Sequence, residues 1–293
     1  MMKTPQAIAT LLIVSSGAFV STCTSEEPGQ ETRDVGRTTE RELNVVLSAP
    51  FCSLSISRGE PEKIVVVESA TESDDARVTI DYAIRNRVGY LEITLGDRHD
   101  RSGGEAGIGL SSFDRGRWML KLTDAVPISL DVELGVGSGR FDLGGLRIKD
   151  FNLSTGASDV SLSFEEMNAA TIEDINIESG VGSFAASGLG NANFKRLRFQ
   201  GGVGSCTLDF EGELDAEVDV DAEVGLGMLI IVVPDGVGAR VLYDKNLMSH
   251  IDLDRDFSSS GEDEYVTDNY ESARGRMNIR ISSSMGNITV RRP

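Results

Sequence analysis

The chain has 293 residues, 40% of them hydrophobic and 26% charged, with a formal net charge of −19. That acidity opposes electrostatic binding to DNA, RNA or anionic lipid. The length is enough to bury one sizeable core, and past the first 22 residues no segment is long and apolar enough for a membrane-spanning helix.

The first element is a leader. Lys3 precedes an apolar run from Ala7 to Val20, short for a membrane span and right for export, so residues 1–22 are expected to be a signal peptide. Val20-Ser21-Thr22-Cys23 resembles a bacterial lipobox, in which the cysteine is lipidated and becomes the new N-terminus. Cys23 is therefore the expected lipidation site and the membrane contact. Cleavage after Ser16-Gly17-Ala18, giving a freely secreted protein, is the alternative. Residues 23–42, CTSEEPGQETRDVGRTTERE, hold almost no apolar side chain and read as a disordered polar spacer. Loss of residues 1–22 removes Lys3 and no acid, which moves the net charge from −19 to −20.

Residues 43–293 read as one all-β domain. Phe51-Cys52-Ser53-Leu54-Ser55-Ile56 alternates, and on this pattern Cys52 takes the place that Cys206 takes later. Ile64–Val67, Val78–Ala83 and Tyr90–Leu95 read as strands, and a charged, glycine-rich insertion follows over 97–117. Then a repeat begins. Gly135-Val136-Gly137, Gly156-Ala157-Ser158, Gly180-Val181-Gly182, Gly202-Val203-Gly204 and Gly225-Leu226-Gly227 recur every 21 to 24 residues. Apolar residues alternate on both sides: Leu130 and Val132, Phe151 and Leu153, Leu197 and Phe199 before the glycines; Val160, Leu162 and Phe164, or Cys206, Leu208 and Phe210, after them. Each repeat is thus strand, glycine corner, strand and return turn. About 22 residues make one coil of a parallel β-helix-like solenoid, with like positions stacked in ladders. A second insertion interrupts the pattern over 243–276, and Met277 to Val290 resumes it.

This period disposes of the most chemical-looking stretch, GGVGSCTLDF (201–210). Cys206 falls on an inward position and reads as a buried thiol, and no lysine-bearing helix follows to make a phosphate loop. Cys52 and Cys206 lie several coils apart, beyond disulfide reach. Arg196 and Arg198 fall on ladders with Asp150, Asp174, Asp219 and Asp221, which implies charge pairing between coils. Asp215, Glu217, Asp219, Asp221 and Glu223 alternate along one strand, too far apart to surround a cation. His99 and His250 fall in expected loops without a third partner. No catalytic, cofactor-binding or metal site is expected. A β-helix carbohydrate-active enzyme would require Asp252, Asp254 and Asp256 to converge with a basic residue in a groove.

The GVGS corners, the segment Val126 to Gly139 (VPISLDVELGVGSG) and the late Asp235-Gly236-Val237-Gly238-Ala239-Arg240-Val241 resemble the bacterial toast-rack family. Its relatives include the C-terminal domain of LiaF-like cell-wall-stress proteins and adhesin-like domains of unknown function. The resemblance spans about residues 43–293, implies a β-solenoid and carries over no functional residue. The combined expectation is a non-enzymatic, extracytoplasmic cell-envelope protein, anchored through Cys23, without cofactor. It would bind an envelope protein or a glycan, and an adhesin-like surface module is the alternative. Exposed solenoid ends and edge strands would favour a homo-oligomer.

Overall fold

In the computed structural model, residues 12–13, 19–24, 30–70, 76–97, 116–244 and 248–293 are described. Their strands, in chain order, are β1 (Leu12–Ile13), β2 (Phe19–Thr24), β3 (Gln30–Gly36), β4 (Glu42–Arg58), β5 (Lys63–Ala70), β6 (Ala76–Arg85), β7 (Val88–Asp97), β8 (Arg117–Leu122) and β9 (Ile128–Asp142). They continue with β10 (Ile148–Ser163), β11 (Ile172–Ser187), β12 (Phe194–Asp209), β13 (Glu217–Val232), β14 (Gly238–Asp244), β15 (Ser249–Leu253), β16 (Phe257–Gly261), β17 (Glu264–Thr267) and β18 (Arg276–Arg291).

The repeat is the spine. Strands β4, β9, β10, β11, β12, β13 and β18 stack in that order, parallel and in register. Each runs unbroken through its corner. The burial pattern shows how. In β9, Leu130, Val132 and Leu134 point inward; Gly135 and Val136 both face out; the inward set then resumes on the other parity with Gly139 and Phe141. Two successive outward residues reset the pleat, as a bulge does, and so turn the strand into two arms. The second glycine absorbs the reset: Gly137, Gly182, Gly204, Gly227 and Gly286 have φ between +136° and +151°, where a side chain is strained. A Cβ on any of them would overlap the carbonyl of the coil beneath.

Between the arms lies the core, with Phe141, Phe151, Phe164, Phe184, Phe199 and Phe210 fully buried. Return turns close it. Asn168, 1% exposed, accepts from the Ile148 N–H and donates to the Ile148 and Ala170 carbonyls, so one side chain satisfies both buried backbone groups of Ile148. Replacing Asn168 by leucine should cost about 2 kcal/mol, because those groups stay buried and lose their partner; urea unfolding followed by circular dichroism measures it.

Both ends repeat one plan. At the front, β7 pairs with the first arm of β4 and β8 with the second, so that together they form a split terminal coil. At the back, β14 and β15 do the same against β18. Antiparallel partners then cover these edges: β6 on β7, β5 on β8 and β17 on β14. The solenoid ends, expected to be bare, are thus covered in part: β7, β8 and β14 carry antiparallel strands. The 243–276 segment is likewise the last coil and its hairpin instead of an irregular loop; its alternation was too short to read.

The spacer differs as well. Gln30–Gly36 forms β3, antiparallel to β5, with Val35 buried and the Arg33 guanidinium donating to the Val78 carbonyl at 2.7 Å. One buried valine and a cross-strand partner suffice to order a segment that composition alone reads as disordered. Backbone pairing also joins β2 to β3, with Cys23 opposite Thr32.

Candidate interaction surface

Three stripes run along the stack. The first arm presents charge in pairs. Arg196 grips Asp174 through two hydrogen bonds of 2.8 Å, Arg276 meets Glu217 at 2.8 Å and Arg280 meets Asp221 at 2.9 Å. Asn278 donates to Asp219 at 3.2 Å. The charge pairing between coils expected at Arg196 and Arg198 is present, both on Asp174, and Asp215, Glu217, Asp219 and Asp221 of the acid run are engaged from the neighbouring coil or its preceding turn. The Arg196 guanidinium holds the Asp174 carboxyl below its ordinary range, and donation from Asn278 and then Arg276 does so for Glu217. Such pairs stabilise above the ordinary carboxylate pKa and lose their effect as pH falls through the lowered one. Being exposed, each contributes little. A shallow hollow of about 200 Å³ lies here between Arg196, Asp219, Asp221, Arg240, Asn278 and Arg280.

The second arm presents small, mostly uncharged side chains: Ser161, Ala185 and Thr207 on one ladder, Ser138, Ser183 and Ser205 on another. Between the arms, at the corner, stands the third stripe. Phe51, Val136, Ala157, Val181, Val203, Leu226 and Met285 face one another coil by coil in unbroken register. Phe51 is 55% exposed, Val181 56%, and Val203 and Leu226 47% each. Glycines flank Val136, Val181, Val203 and Leu226 on both sides, so the middle of the row stands clear as an apolar ridge. At about 4.8 Å per coil its seven levels span about 29 Å. Monomeric surfaces rarely carry a contiguous apolar feature of this kind without a use. Alternation hid it: the middle residue of each GVG corner reads as filler between glycines, and the parity reset that turns it outward is visible only in three dimensions.

Cys206 lies where expected, buried between Phe184 and Leu229 on adjoining coils. Cys52 does not share its ladder. It pairs with Gly137 and so stacks through Ser158 and Gly182 to Gly204, two residues ahead of Cys206. Both thiols are free, as expected, and four coils separate their strands, about 19 Å. Burial pushes the Cys206 thiol up to about 11 and Cys52 to about 12, from an ordinary 9.0. The folded thiol is favoured as the neutral form, so its contribution is complete below pH 9 and is lost as pH climbs from there. Neither cysteine should take up iodoacetamide at pH 8 in the folded chain, and both should in denaturant; peptide mass mapping reads each site separately.

The acidic stretch near the C-terminus converges only in part. Arg292 bonds Asp256 through its side chain at 2.6 Å and Asp254 through its backbone N–H at 3.1 Å; Asp252 stays on the exposed side of β15. The same guanidinium donates to the carbonyls of Val233, Pro234 and Val237. Its donors are consumed in tying the C-terminus to the last return turn. His250 is exposed on β15, and His99 lies outside the described residues. Among the described residues no three His, Cys, Asp or Glu side chains form a metal-binding group, and no helix is long and apolar enough to cross a membrane.

The model of the N-terminal domain of toast-rack proteins, DUF2154, matches residues 24–187. This chain belongs to the toast-rack family. The match starts within the spacer expected from composition, in keeping with the pairing of β3, and takes in the ridge from Phe51 to Val181. No curated protein matches the chain. Among solved structures it is similar to a chain from Clostridium sporogenes provisionally named a cell adhesion protein: identity is 20% over 91% of this chain and all of that one, with a TM-score of 0.46. A provisionally named adhesin from Bacteroides fragilis is 13% identical over 91% of this chain and 98% of that one, TM-score 0.39. One from Parabacteroides distasonis is 9% identical over 90% and 97%, TM-score 0.29.

Proposed function

We propose that this toast-rack protein is an exported, non-enzymatic module of the cell envelope, held to a membrane through Cys23, whose work is to present a binding surface. The observation that carries the reading is the surface itself: an apolar ridge runs the length of the stack beside an arm of mostly small side chains, while many of the first arm's charges are paired between coils. A catalytic groove needs acids or bases that are poised and unpaired; Asp254 and Asp256 are instead engaged by Arg292. The leader and the lipobox-like Val20 to Cys23 supply the export signal and the anchor. An anchor at Cys23 would sit beside β3 at the front cap, since Cys23 pairs with Thr32.

The intact mass of the native protein, extracted from membranes with detergent, tests the anchor. A chain starting at Cys23 and carrying acyl groups is expected. An unmodified chain starting near Phe19 would overturn the anchored reading and leave a free exported protein.

A further inference from the structure

The ridge has a period as well as an apolar character, and the period narrows what can cover it. Its side chains stand about 4.8 Å apart, the spacing of stacked strands. To bury such a row along its whole length, a partner must offer knobs or gaps at the same spacing. Another β-stack does this, as paired sheets do in dry zippers. A helix, rising 1.5 Å per residue, falls out of step within a few levels. Shape agrees with period. The glycines beside Val136, Val181, Val203 and Leu226 carry no side chain that could rise above the ridge, so a second ridge can approach it closely.

We propose that a second copy of this chain covers the ridge, the two stacks running parallel about a two-fold axis along it. This goes beyond the reading above and does not depend on the anchor. Charge favours this sense of pairing. Glu133, Glu178 and Glu223 line the first-arm flank, all exposed, while the second-arm flank carries Ser138, Ser183 and Met228 at the same levels. A two-fold axis along the ridge sets each flank against the opposite flank of the other copy, so glutamate faces serine or methionine and never glutamate. In-step antiparallel pairing about Val181 would set Glu133 against Glu223 and Glu178 against itself. An anionic membrane would lie directly against the same three exposed glutamates, which disfavours it as the covering surface. Size fits a modest dimer. A strip about 29 Å long and five residues wide, about 16 Å, gives about 450 Å² per copy and about 900 Å² in all, below the roughly 1,200 Å² of stable specific interfaces and in the range of weak, transient association.

Crosslinking in native envelopes tests this with the chain as the cell makes it. Val203→Cys should give a covalent homodimer with a short bis-maleimide, identified by mass, whereas Ala185→Cys on the outer second arm should not. Adding Val181→Glu, or the milder Val181→Ser if abundance falls, should reduce the Val203→Cys yield about tenfold. A crosslink to a different protein, equal yields at Ala185→Cys and Val203→Cys, or no dimer at Val203→Cys would each overturn the proposal.

Discussion

Replacing Gly204 by alanine is expected to remove about 4 kcal/mol or more of stability. Two effects combine there. Gly204 sits at φ +150°, where an alanine is strained whatever the space. A methyl group on it would also overlap the carbonyl of Gly182 in the coil beneath. That carbonyl cannot retreat alone, because Gly182 is itself seated on Ser158, and Gly227 in turn on Gly204. Any shift is transmitted through coils that contact only their neighbours. Gly236→Ala is the matched control. It has open space around its position and no positive φ, so it should change stability by no more than about 0.5 kcal/mol in either direction. Urea denaturation of both variants gives the comparison. Equal midpoints would mean that the glycine ladder is not what sets the corner.

The repeat was legible because glycines and alternation act locally: a corner that stacks on itself admits little but glycine, and an arm with one buried face must alternate. Cys206 was placed correctly for that reason. Cys52 was misplaced because Phe51-Cys52-Ser53-Leu54 alternates just as Gly204-Ser205-Cys206 does, and only the pairing of Pro50 beneath Gly135 shows where the parity resets. Ser158 and Cys52 occupy the inward corner position with ordinary φ, so the corner is not strictly glycine and the motif fades toward the front. The order of the coils lay further out of reach. That β18 inserts between β13 and β14, and β4 between β8 and β9, depends on long-range pairing between segments whose local patterns are alike. The ridge was unreadable for a related reason. Its residues lie 20 or more positions apart in the chain, and only register brings them into one line.

Arg292→Ala should cost about 3 kcal/mol and loosen the back cap first. The residue is the next to last in the chain, a place where composition suggests a dispensable end, yet its side chain is only 12% exposed. Its guanidinium bonds Asp256 and three carbonyls of the Val233–Val237 turn, and it stands over the Phe257 ring at 5.9 Å. Truncation leaves a half-buried carboxylate without its cation and several carbonyls without a donor, and charged hydrogen bonds of this kind are the costly ones to lose. Lysine at the same position keeps the charge but not the planar fork, and should recover only part of the difference. Hydrogen exchange resolves the location: protection should fall at β15 to β17 while β10 to β12 remain as in the parent. Uniform loss across the stack would instead mean that the cap and the coils unfold as one unit, and that the back cap holds the solenoid together rather than merely closing it.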